Sequence, residues 1–303
     1  MMDSEILVVE NLCKTYKTKK GVLSVLDNLN LKFGKGIIAI LGANGAGKTT
    51  FIKSCTDLLT FDSGQISYMG HSLSSMTKKE KCQMYSLLSE GNRNIYWKLS
   101  PIENIKYFSA LRGIEYKKIE GFCLDALNEL NLYEKKDELV ENLSRGMQQK
   151  VAVVCALSMN TNVIFLDEPT LGLDIESTIH LSKFLSNNES LKDKLICITS
   201  HDFSFIESTT KFVFKLQNGT LISKDSVYDI DSSYLIKIDV ANLENLKMEG
   251  YEVVEETPQY CTIKVSVPYY KLGEAISDIN LKGFNVFSVE AEKYDIANFY
   301  LNK

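Results

Sequence analysis

No stretch of this 303-residue chain approaches the ~20 consecutive apolar residues needed to cross a bilayer. A basic surface is lacking too. Lys and Arg total 34 against 39 Asp and Glu, a formal net charge of −5, so the electrostatic footprint of a nucleic-acid binder is missing and no nucleic-acid partner is expected. Seven cysteines stand singly, at 13, 55, 82, 123, 155, 197 and 261, and no Cys-x-x-Cys pair occurs. That spacing speaks against zinc sites and a disulfide framework, and buried reduced thiols are expected. The opening Met1-Met2-Asp3-Ser4-Glu5 is acidic and no long apolar region follows, so neither a signal peptide nor export of the chain is expected, and it reads as cytosolic. Tryptophan occurs once, at Trp97. With 45% hydrophobic and 24% charged residues, the composition is that of a globular chain of two domains, or of one large and one small.

What is present centres on Gly42-Ala43-Asn44-Gly45-Ala46-Gly47-Lys48-Thr49-Thr50. Before it runs Ile37-Ile38-Ala39-Ile40-Leu41, an uninterrupted apolar segment of the kind a parallel strand buried on both faces shows. After it Phe51, Ile52, Cys55, Leu58 and Leu59 recur at helical spacing. Glycines between a strand and a helix let successive N–H groups curl around a phosphate, and the helix N-terminus adds partial positive charge. Lys48 is expected to reach the β- and γ-phosphates, and the Thr49 hydroxyl to ligate Mg²⁺. A nucleoside triphosphate is the ligand this pattern calls for.

Around that loop the chain alternates strands and helices. Ile6–Leu12 and Leu29–Phe33 read as strands flanking a Lys- and Thr-rich turn at 17–21. Between them stands Tyr16, either a nucleobase-stacking ring or a half-buried strand residue. Gly64–Tyr68 and Met84–Leu88 read as further strands, with a Lys-rich helix between, and Ser89–Trp97 as a loop. From Pro101 to Leu132 the apolar positions keep helical spacing, an α-helical insert. Ser144 caps a helix that opens at Arg145-Gly146-Met147. Val163–Leu166 is another buried strand, ending in Asp167-Glu168-Pro169. Of such adjacent carboxylates, one can hold Mg²⁺ through its water shell and the other can deprotonate an attacking water. Leu195–Thr199 is the next strand and ends in Ser200-His201-Asp202, where His201 can hydrogen-bond a γ-phosphate. An Asn218-Gly219 turn closes a hairpin from Phe212 to Ile222.

In this order the motifs resemble the nucleotide-binding domain of ABC ATPases over residues 6–222. The 42–50 segment matches the Walker A loop, 143–149 the signature motif, and 163–168 the Walker B strand with its catalytic Glu168. Tyr16 matches the adenine-stacking aromatic, Asp174 the D-loop aspartate and His201 the switch histidine. Two departures stand out: Arg145 and Met147 replace a glycine and a glutamine of the signature, and Glu90 takes the Q-loop glutamine position. The run from Glu90 to Trp97 is similar to that of bacterial drug-resistance exporters. The resemblance implies a P-loop α/β fold and ATP with Mg²⁺ as cofactors, with Lys48, Glu168 and His201 catalytic and Thr49, Glu90 and Asp167 at the metal. It further implies a head-to-tail pair in which Gly42, Asn44, Gly45, Ala46, Gly47, Lys48, Thr49 and Thr50 of one domain face Ser144 and Gly146 of the other. A polytopic permease would be the membrane partner, holding the chain on the inner face of the cell membrane. Tyr96 and Trp97 lie where that family docks its permease, and are equally readable as core aromatics.

A second domain is expected over 223–303, with a polar linker at 224–233. Alternation at 235–240 and 261–267, helical patterns at 242–248 and 269–281, and strands at 251–255 and 284–289 give the order β-α-β-β-α-β, the ferredoxin-like arrangement. The leading reading is the ATPase subunit of an exporter. The alternative, a soluble ABC ATPase acting on nucleic acid or the ribosome, has against it a short Lys48–Ser144 interval without heptads and a single phosphate loop. A kinase reading fits poorly with an Asp-Glu pair suited to water as nucleophile.

Overall fold

The structure, a computed structural model, describes residues 5–19, 21–91, 94–210, 212–224, 232–239, 252–267 and 272–291. The chain divides into two compact units, Met1–Ser223 and Lys224–Lys303.

The first unit is built on two sheets. Its central sheet takes β3 (Gly36–Leu41), β6 (Tyr85–Leu88), β7 (Val163–Asp167), β8 (Leu195–Thr199), β9 (Phe212–Gln217) and β10 (Thr220–Lys224) in the order β10-β9-β3-β8-β7-β6. From β9 to β6 all neighbours run parallel. Every residue of β7 and β8 is buried, which explains the apolar runs Val163–Leu166 and Leu195–Ile198. Parallel strands deliver their carboxyl ends to one edge, so β3, β7 and β8 bring the segments after Leu41, Asp167 and Thr199 together there.

The second sheet of this unit is antiparallel, β2-β1-β4-β5, with β1 (Leu7–Thr18), β2 (Gly21–Phe33), β4 (Ser63–Tyr68) and β5 (His71–Ser72). Here the strands outrun the sequence expectation: β1 and β2 form one ribbon through the Lys- and Thr-rich segment. Its outer part is largely exposed, so no apolar alternation marks it, and register shifts at Val9/Leu12, Leu12/Lys14 and Lys14/Thr15 blur what remains. One core cluster joins both sheets, with Leu7, Phe51, Tyr68 and Phe165 at most 1% exposed.

The helices are α1 (Lys48–Cys55), α2 (Lys78–Met84), α3 (Pro101–Leu111), α4 (Glu120–Glu129), α5 (Arg145–Leu157), α6 (Ile175–Asn187) and α7 (Phe203–Thr209). Sequence sets their starts. Thr77 with Glu80, and Ser100 with Glu103, form capping boxes, while Ser144, Asp174 and Asp202 accept from backbone N–H groups of their first turns. The expected helical insert is thus two helices, broken at Arg112-Gly113.

In the second unit an antiparallel sheet has the order β12-β13-β11-β14, from β11 (Ser232–Ile238), β12 (Glu252–Glu256), β13 (Cys261–Val267) and β14 (Val286–Ala291). One helix, α8 (Leu272–Leu281), packs on it, and Tyr234, Ile236, Ile263 and Ile279 lie in its core. The helix expected at 242–248 and most of the linker lie outside the described residues.

Candidate functional site

At the carboxyl edge of the parallel sheet lies a cavity of about 570 Å³. The 43–50 loop forms its floor, with Leu23 and Val25 of β2, Glu90, Asp167, Glu168, Leu171 and His201 around it. Gly47, before the first residue of α1, has φ of 104°, and a Cβ there would meet the Val25 carbonyl oxygen at 2.8 Å. Only glycine fits that turn, which is how the loop comes to wrap the helix N-terminus. Lys48 is 8% exposed, and its ammonium donates to the Gly42 and Ala43 carbonyls. Burial lowers its pKa, while Glu168, Asp167 and Glu90 oppose that shift, so the cation sits among three carboxylates.

Two oxygens converge beside the loop. The Thr49 hydroxyl donates to Asp167 Oδ2 at 3.2 Å, and the Thr199 hydroxyl donates to Asp167 Oδ1 at 2.5 Å. Glu168 has a positive φ of 52°, a strain of ~1–3 kcal/mol for a non-glycine residue. Its N–H is held by the Thr199 carbonyl at 3.0 Å and hydroxyl at 3.1 Å. Its carbonyl, with that of Pro169, accepts from the Gln149 amide at 3.2 Å. The carboxylate is thereby aimed inward: Oε2 accepts from the His201 backbone N–H at 3.2 Å, and Oε1 lies 3.2 Å from His201 Nε2. Oε1 is buried without a hydrogen-bond partner among the described residues. Burial pushes the Glu168 pKa up, with Asp167 adding to it and His201 and Lys48 pulling it down. A raised, partly unsatisfied carboxylate in a phosphate cavity is equipped to take a proton.

Other expected site residues lie elsewhere. Tyr16 is 37% exposed on β1 and absent from the cavity lining, although its cross-strand partner Leu23 is part of it. Ser144, Gly146 and Asp174 are also absent from that lining. Ser144 Oγ accepts from the Met147 N–H at 3.3 Å, and a Cβ on Gly146 would sit 3.0 Å from the Gly172 carbonyl oxygen. Asp174 caps α6 through Ser177, whose N–H lowers its pKa. Asn94 braces the Glu90 loop by accepting from the Ser89 N–H and donating to the Ser89 and Gly91 carbonyls. Thr199 and Leu23 are site residues that no sequence motif singled out, and Gln149, inside the signature segment, was given no role of its own. For Thr199, its place at the end of a buried strand beside the Asp167 strand was the available signal.

No group of three His, Cys, Asp or Glu side chains that could hold a metal occurs among the described residues. Thr49 and Asp167 offer two hard oxygens, a set that suits a cation completed by phosphate and water rather than caged by protein.

A family model described as "ABC transporter" matches residues 26–171, spanning the phosphate loop, the signature segment and the Asp167-Glu168 pair. Those residues form an ABC transporter ATP-binding domain. The ABC domain is an ATPase that binds ATP. The chain is 28% identical over 232 residues to the ABC transporter ATP-binding protein NatA of Bacillus subtilis, covering 75% of this chain and 94% of NatA. It is likewise 28% identical to the methionine import ATP-binding protein MetN 3 of Bacillus cereus, covering 74% of this chain and 67% of the relative. Against putative ABC transporter ATP-binding proteins of Methanosarcina acetivorans and Bacillus cereus, it spans only 41% and 40% of their length. Among solved structures, cbiO1 from Clostridium perfringens, part of the transporter complex cbiONQ, superposes with a TM-score of 0.63 at 25% identity, over 74% of this chain and 89% of that one. A dimeric ATP-binding cassette bound to ADP and Pi gives the same TM-score at 22% identity, over 73% of this chain and 99% of that one, a likeness of fold. Among the described residues no helix is long and apolar enough to cross a membrane.

Proposed function

We propose that this chain is the ATP-hydrolysing subunit of a membrane transporter, acting as a pair of ABC domains beneath a separately encoded polytopic permease, peripheral to the inner face of the membrane. The observation that carries the chemistry is Glu168: a half-buried carboxylate, raised in pKa, that lines the phosphate-loop cavity with Lys48 and has one oxygen 3.2 Å from His201 Nε2. In this reading the loop N–H groups and Lys48 hold the β- and γ-phosphates of ATP. Glu168 takes the proton of a water attacking in line, and His201 steadies both Glu168 and the γ-phosphate. Mg²⁺, when bound, neutralises phosphate charge, and Thr49, Asp167 and Glu90 are the residues that would hold it.

Pairing rests on Ser144 and Gly146 lying outside their own chain's cavity, so that a second domain is needed to bring signature residues to the nucleotide. The dimeric cassette bound to ADP and Pi supports that reading. Tyr96 and Trp97, each 49% exposed, offer the permease an aromatic surface next to the Glu90 loop. Export is the direction we assign, from the Glu90–Trp97 run; MetN 3 is named an import protein, so transport in vesicles decides it. The second unit we assign as an accessory domain of ferredoxin-like arrangement, which the sheet order β12-β13-β11-β14 supports. Co-purification from membranes with a polytopic partner, and ATP-driven efflux by the reconstituted complex, test the whole. An active chain that partners instead with ribosomes or nucleic acid would overturn it.

A further inference from the structure

Gln149 lies in the second turn of α5, 3% exposed, and has no place in the chemistry described above. Its amide nitrogen donates to the carbonyls of both Glu168 and Pro169 at 3.2 Å. On the other side of the Glu168 Cα, the N–H is held by Thr199. The two peptide units that fix the Glu168 backbone are therefore clamped from different elements, β8 and α5. At this residue φ is 52°, a left-handed conformation that reverts unless its surroundings impose it. The direction of the Cα–Cβ bond, and so the place of the carboxylate, follows from those two clamps.

We propose that Gln149 is a positioning residue for ATP hydrolysis, holding Glu168 in its left-handed backbone conformation from the signature helix. The same helix carries Ser144 and Gly146 at its start, and Gly146 packs against the Gly172 carbonyl of the segment following Glu168. A shift of α5 is thus transmitted to the Glu168 loop at two points. The proposal rests on Glu168 acting as the base, as given above.

Gln149→Met keeps the volume and removes the donor; Gln149→Glu keeps the shape and turns acceptor oxygens toward two carbonyls. Both are measured in the full chain for kcat, KM for ATP, ATP affinity and melting temperature, with Glu168→Gln alongside. The expected result is a kcat lowered by roughly tenfold to 10²-fold, the scale of a small misplacement of a reacting group, with KM and ATP affinity within about twofold. A residue that merely supports packing would lower melting temperature and ATP affinity together with kcat, and that outcome overturns the proposal. So does an unchanged kcat in either variant while Glu168→Gln is inactive. Near-normal turnover in Glu168→Gln would instead remove the base reading itself.

Discussion

Thr49 Oγ1 and Asp167 Oδ2 lie 3.2 Å apart, joining the first turn of α1 to the last residue of β7 across 118 positions of sequence. The contact places two hard oxygen donors side by side at the phosphate loop. Replacing Thr49 with Ala should therefore raise the Mg²⁺ concentration for half-maximal ATPase rate by about tenfold or more, the scale of a lost contact at a metal. A titration of rate against Mg²⁺ that superposes on the parent would take Thr49 out of the metal site.

Gly47 gives a prediction that depends on backbone alone. An alanine there meets both the left-handed φ and the Val25 carbonyl oxygen at 2.8 Å, so Gly47→Ala should cost about 1–3 kcal/mol from the conformation, plus a shift of the loop. Thermal unfolding without nucleotide should show the loss, and ATP affinity should fall with it. Parent-like melting and binding would mean the loop relaxes freely.

How much of this was legible beforehand depended on burial. Val163–Leu166 and Leu195–Ile198 announce themselves because strands covered on both faces run nearly unbroken in apolar residues. The phosphate loop is legible because its glycines and Lys48 have fixed jobs. The outer ribbon from Lys14 to Val25 is not, since its residues are mostly exposed and its polar and apolar residues do not alternate. Gln149 falls within the signature segment, but its role is hidden for a different reason: its partners are carbonyls 19 and 20 residues away, and a backbone acceptor leaves no trace in side-chain identity. Tyr16 stands on the ribbon opposite Leu23, which lines the cavity.

Glu90 lines the cavity and its charge acts on Lys48. A glutamine there keeps an oxygen for the metal and loses the charge, and charge-assisted contacts are roughly twice as strong. Glu90→Gln should hold hydrolysis within about tenfold of the parent, ~1.4 kcal/mol in the barrier, while needing more Mg²⁺. Glu90→Ala should lose far more. Identical Mg²⁺ curves for all three proteins would make Glu90 a bystander.

Trp97 is 49% exposed, so its truncation should change stability little, within ~0.5 kcal/mol. Trp97→Ala is expected instead to weaken association with the permease, read by co-purification from membranes. A large drop in melting temperature with association intact would assign the ring to packing.

The central claim is that Glu168 drives ATP hydrolysis between two paired domains. Glu168→Gln removes the base and keeps the shape, so one preparation tests both halves: turnover, and molecular mass in solution with and without ATP and Mg²⁺. The account predicts turnover down by about 10²-fold or more, with ATP still bound and the protein shifting from monomer to dimer when ATP is added. Near-normal turnover, or a mass that stays monomeric with ATP bound, would contradict it.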